Sequence, residues 1–226
     1  MNPVPTSCRA RLQPRDFDFL SATLAGSPEE QGFLTSLFSE PTALSAILEN
    51  DRIFRAILEL PMPLSVSPEL YFYVLVRRSL KEAGIDDAEI ADYVAATLAD
   101  HAGGALSRNS SPRLPDAEFT YHLDIIEKLA DASPCERFFL EVQCGNRFLV
   151  LTGLFPRFLE RRSERRGAPG LGYYESVARQ SFRTAGLHPL ATEYAVREIY
   201  GRLADCFTET RRALNRMAGD RLFLGN

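Results

Sequence analysis

The sequence predicts an all-α fold, a compact multi-helix bundle of about eight to ten helices. Three observations carry that reading. Apolar residues recur at three- and four-residue spacing through most of the chain. Helix start and stop signals punctuate it. No stretch alternates apolar and polar residues over a convincing strand length.

Residues 1–15 carry three of these punctuating prolines and no periodicity, and read as a loose N-terminal arm. Phe17, Leu20 and Leu24 then share one helical face. Phe33, Leu34, Leu37 and Phe38 form a second face, opened by Pro28-Glu29-Glu30. Leu44, Ile47 and Leu48, followed by Phe54, Ile57 and Leu58, give two more short stripes. Pro61 and Pro63 stop the chain, and Ser67-Pro68-Glu69 restarts it with an N-cap, a proline at N1 and an acid in the first turn. The run Tyr71–Val76 has strand propensity. The start signal before it, and the basic residues and Gly84 after it, predict a helix instead. Asp86 reads as the next N-cap, with Glu89 at N3 and Ile85 stapled to Ile90. The glycine-, serine- and proline-rich loop at 102–115 is the division if the domain over 16–226 consists of two halves. Phe119, His122, Leu123 and Ile126 open a further helix. The last element, about 190–217, reads as one helix of roughly 40 Å with Val196, Ile199, Leu203, Phe207, Leu214 and Met217 on its apolar side.

At 226 residues the chain is long for one domain and short for two. Its formal charge of −4 lacks the basic excess of a general nucleic-acid binder, so no nucleic-acid partner is expected. No apolar run approaches the roughly 20 residues that cross a bilayer, and the N-terminus lacks a signal-peptide core. The four cysteines, Cys8, Cys135, Cys144 and Cys206, form no Cys-x-x-Cys pair and only three histidines are present. A cytoplasmic protein with free thiols, no metal and no cofactor is the expectation.

The segment Cys144–Pro156 is too apolar for a surface loop, yet it holds Gly145, Asn146, Gly153 and Pro156. Pro156 cannot donate a backbone hydrogen bond to the Thr152 carbonyl, so a kink or restart is expected there. Buried Asn146 and Arg147 would need partners. Glu118 and His122 share a helix face, but no second Glu-x-x-His motif completes a di-iron pattern. Arg157, Arg161, Arg162, Arg165 and Arg166 form a basic cluster diluted by Glu160 and Glu164. That cluster reads as a solvated helix end rather than a phosphate patch. Gly167-Ala-Pro-Gly-Leu-Gly172 follows a helix and reads as a turn, not a phosphate loop. Cys144, in an apolar run, reads as a small core residue rather than a thiolate.

The stretches Ser67–Val76, Gly145-Asn146, Leu151–Pro156, Arg165–Pro169 and Tyr173-Tyr174-Glu175 resemble a family of uncharacterised bacterial helical proteins with no established activity. The resemblance implies a compact helical fold and a bacterial cytoplasmic origin, and carries over no site residues. A candidate ligand site is expected where the Gly145–Pro156 helix meets the His122 helix and the Tyr173–Tyr174 turn, with His122, Asn146, Tyr173 and Tyr174 as its residues. The expected function is non-catalytic binding of a partner protein or small ligand, with no catalytic residue assigned. The alternative is a helical-bundle enzyme, metal-assisted or heme-oxygenase-like, with a pocket near His122, Asn146 and Tyr174.

Overall fold

The structure, a computed structural model, describes residues 4, 5, 7–60, 65–107 and 125–222. Among them there is no strand, and no helix is long and apolar enough to cross a membrane. The chain divides into two compact units, Thr6–Gly103 and Gly104–Asn226 with Met1–Pro5.

The first unit holds a 3₁₀ turn at Arg9–Arg11 and helices α1 (Pro14–Leu24), α2 (Pro28–Leu37), α3 (Pro41–Leu48), α4 (Asp51–Leu58), α5 (Pro68–Glu82) and α6 (Ala88–Ser107). The second holds a helical stretch at 125–131, then α7 (Pro134–Leu154), α8 (Pro156–Arg166), α9 (Leu171–Leu187), α10 (Pro189–Glu193), α11 (Arg197–Asp205) and α12 (Phe207–Asp220). The count of eight to ten is therefore too low, because thirteen helices, the 3₁₀ turn included, are delimited among the described residues. Proline explains the finer division: it stands at the first position of α1, α2, α3, α5, α7, α8 and α10. There its fixed φ suits the helix and its missing N–H costs nothing.

In the first unit α5 is the most buried helix with all its side chains described, through Leu70, Tyr73, Val74, Leu75, Val76 and Leu80. The Ser67 hydroxyl accepts from the Leu70 N–H at 3.1 Å, as a cap must. Asp16, fully buried, accepts from the Gln13 and Ser67 backbone N–H groups, each at 2.7 Å, and so ties the start of α1 to the start of α5. At the other end of α5, Gly84 takes φ 83°, the Ile85 N–H reaches the Leu80 carbonyl and the Gly84 N–H the Lys81 carbonyl. This is the glycine-dependent closing motif that the sequence signals. The cap of α6 is Asp87, which accepts from the Glu89 and Ile90 N–H groups at 3.0 Å, not Asp86. Asp86 is instead drawn to the Arg77 guanidinium, whose Nε binds Glu49 at 2.7 Å. Residues 8–11, read from sequence as part of an arm, are fastened down. The Cys8 thiol is fully buried, the Arg9 N–H donates to Asp92, and the Arg9 guanidinium lies 5.8 Å over the Tyr73 ring.

In the second unit α9 lies along both α7 and α11, and α12 packs on α7. The core comes from Phe138, Val142, Phe148 and Leu149 on α7, Tyr174, Ala178, Phe182 and Ala185 on α9, and Tyr200, Phe207 and Leu214 beyond. Helix α7 runs unbroken through Gly145 and Asn146. Its two glycines are there for contact: a methyl group at Gly145 would meet the Phe182 ring at 3.0 Å, and one at Gly153 would meet Leu214 at 2.8 Å.

The restart at Pro156 is real, since Phe155 leaves helical geometry and α8 begins on the proline. The Thr152 carbonyl, which Pro156 cannot serve, takes a hydrogen bond from Asn215 Nδ2 at 2.8 Å. The second proton of that amide goes to the Gly153 carbonyl at 2.6 Å. Asn215 Oδ1 accepts from Arg211, Arg211 Nε donates to Glu175 at 2.8 Å, and Thr208 donates to the same carboxylate. The C-terminal stripe is not one helix but three. Ala195 at φ 54° ends α10, and Cys206 separates α11 from α12. Val196, Leu203, Phe207, Leu214 and Met217 are nonetheless all buried, because the breaks keep their common side inward.

Two predictions test this packing. Gly145→Ala should cost about 1–3 kcal/mol of unfolding free energy in urea titration, and less in a Phe182→Leu background where the ring is gone. Asn215→Ala should cost about 1–3 kcal/mol by stranding the Thr152 carbonyl. Asn215→Asp should cost more, because it sets a carboxylate against two carbonyl oxygens.

Candidate functional site

A cavity of about 350 Å³ lies within the second unit, between the 125–131 stretch, α7 and α9. Helical spacing builds it. Tyr173, Ser176, Val177, Gln180 and Ser181 fall at i, i+3, i+4, i+7 and i+8 and therefore share one side of α9. Glu141 and Cys144 are one turn apart on α7, and Ile125 and Leu129 one turn apart on the preceding stretch. Ile125, Leu129 and Val177 give an apolar wall. The volume sits at the lower end of the roughly 300–1,000 Å³ usual for small-molecule sites.

The polar side of the cavity centres on Ser181, which is buried. It is hydrogen-bonded to both Glu141 and Cys144. Its hydroxyl favours the charged form of each, and having one proton it donates to one of them at a time. Burial pushes the Glu141 carboxyl above the usual carboxylate range, against the pull of Ser181 and of Arg137. Burial likewise pushes the Cys144 thiol up to about 11, and the Glu141 charge adds to it. Cys144 is thus a protonated thiol at neutral pH, not a nucleophilic thiolate.

The sequence-predicted residues fall out as follows. Tyr173 lines the cavity and is 41 % exposed. Tyr174 is fully buried, its ring 5.0 Å from Phe148. Asn146 is half-buried on α7 and is not part of the lining. His122 and Glu118 lie outside the described residues. The arginine cluster sits on α8, with Arg161 and Arg165 exposed. His188 Nδ1 accepts from the Leu190 N–H at 3.2 Å, so this imidazole caps α10 and stacks on Phe138. Among the described residues no group of three His, Cys, Asp or Glu side chains is placed to hold a metal. Sequence reading missed Glu141, Ser176, Gln180 and Ser181. The available signal was the polar stripe that starts at Tyr173, whose helical spacing is visible in the sequence.

No protein-family model, no curated protein and no solved structure matches this chain, so the cavity is interpreted from its own chemistry.

The raised pKa of Glu141 has a sign in stability. Its folded form favours the proton, so its contribution is present below the ordinary carboxylate pKa and is lost as pH rises through the folded value. Ionised Glu141 therefore costs stability at neutral pH. Glu141→Gln should raise the melting temperature at pH 7.5, and calorimetry should show the gain fading toward about pH 4. An unchanged gain across that range would contradict the burial of this carboxyl.

Proposed function

We propose that this chain is a non-catalytic cytoplasmic helical protein that binds a small, largely apolar molecule in the cavity between residues 125–131, α7 and α9. The observation that carries the reading is the composition of the cavity. Ile125, Leu129 and Val177 form an apolar wall, and the Glu141–Ser181–Cys144 group gives it one polar end. Ligand sites combine apolar walls with a few convergent polar groups in this way. The protonated Cys144 thiol supports binding over nucleophilic chemistry. The enzyme alternative gains little from Tyr174, whose ring is committed to the core against Phe148. Four free thiols, one of them the exposed Cys135, fit a reducing compartment.

Saturation-transfer NMR with 1-hexanol as the probe tests the reading. The wild type should transfer magnetisation to the alkyl chain. Val177→Phe, which fills the cavity, should abolish the transfer while the helical circular dichroism and the cooperative melt are kept. Equal transfer in both proteins, or none in the wild type, would remove the cavity as a binding site.

A further inference from the structure

We infer that the cavity selects molecules carrying a protonated amine at one end of an apolar body, with Glu141 as the ion partner. The inference rests on the cavity being a binding site at all, and adds the chemical class of its occupant.

Glu141 is the charged residue among those lining the cavity; Tyr173, Ser176, Gln180 and Ser181 present neutral polar groups, and Cys144 a thiol. An ionised carboxylate accepts about four hydrogen bonds. In the structure Ser181 supplies one to Glu141. Backbone N–H groups cannot supply the rest, because they are spent inside α7. Arg137 stands one turn earlier on α7. It acts on Glu141 only at a distance, and its Nη2 is engaged with the Leu129 carbonyl at 2.9 Å. Among the described residues Glu141 makes no ion pair.

A half-buried carboxylate at the polar end of an apolar wall is complementary to an ammonium group. That group would bring three N–H donors and the missing opposite charge. Its alkyl or aryl body would lie against Ile125, Leu129 and Val177. A carboxylate ligand would meet the like charge of Glu141 in a partly desolvated setting and be rejected. An alcohol would fill the same space and donate one hydrogen bond, without the opposite charge.

Isothermal titration calorimetry of the full chain at pH 7.5 with n-hexylamine, 1-hexanol and hexanoate separates these cases. Hexylamine should bind about tenfold more tightly than hexanol, the increment of a hydrogen-bonded charge. Hexanoate should bind more weakly than either. Glu141→Gln keeps the shape and removes the charge, and should bring hexylamine down to the affinity of hexanol in the same variant. If hexylamine and hexanol bind the wild type equally, the amine assignment fails and the cavity remains a binding site. If the amine advantage survives Glu141→Gln, the ammonium is held elsewhere and the assignment fails. If neither probe binds, the site itself is lost and the amine assignment with it. Nα-acetyl-lysine methylamide distinguishes a free amine from a lysine side chain of a peptide. It should bind more weakly than hexylamine, and tighter binding would overturn the small-molecule assignment.

Discussion

The second unit depends on how closely α7 can approach its neighbours, and two glycines set that distance. At Gly145 the Phe182 ring of α9 lies where a side chain would begin, and at Gly153 Leu214 of α12 does the same. Helix pairs held this tightly have little freedom to slide or rotate, because interiors are close-packed and each ring fills a defined hollow. Glycine in a helix interior costs roughly 0.5–1 kcal/mol relative to alanine. Close packing against Phe182 and Leu214 offsets that. The proline that follows enforces the same arrangement. By removing an N–H it leaves the Thr152 carbonyl buried at the end of α7, and Asn215 can serve it only if α12 is already seated. The chain from Asn215 through Arg211 to Glu175 then extends the requirement to α9.

Which features were legible in the sequence follows from the range of the interaction behind each. Local signals read correctly: Ser67-Pro68 as a helix start, Gly84 as a helix end, Pro156 as a restart, Gly167 as a turn. The capping box Ser133…Glu136 is an equally local signal. Failures occurred where a residue did something outside its ordinary preference. Ala195 adopts the left-handed conformation at the end of α10. The Val196 N–H reaches the Ala191 carbonyl and the Ala195 N–H the Thr192 carbonyl, the same pattern that Gly84 makes visible on α5. Without the glycine there is no local sign, and an apolar period that continues across the break conceals it. Asp86 and Asp87 could each have capped α6. A distant partner, Arg77 held by Glu49, decided between them.

The candidate site shows the same division. The neighbourhood of α7 and Tyr173 could be inferred from irregular residues in an apolar run. Which faces meet could not, because it depends on the rotation of α7 against α9. Asn146 and Tyr174 have suitable chemistry but lie off the cavity lining, whereas Glu141, Ser176, Gln180 and Ser181 line it from regular helices that carry no local irregularity. Tyr174 is instructive. A tyrosine offers an apolar body and a polar tip, and here the body won its place in the core against Phe148.

Glu141 ties the packing to the chemistry. Gly145 meets Phe182, and the residue before each, Cys144 and Ser181, are hydrogen-bonded to one another. The close approach that the glycine permits is therefore what brings Ser181 to α7, and Glu141, one turn before Cys144, falls within reach of the same hydroxyl. The result is a carboxyl whose burial opposes its ionisation, at the edge of a space its neighbours do not fill. Burial by itself favours a neutral residue of the same shape at this position. The close contact at Gly145 thus fixes the place of a carboxyl whose charge the surrounding burial disfavours.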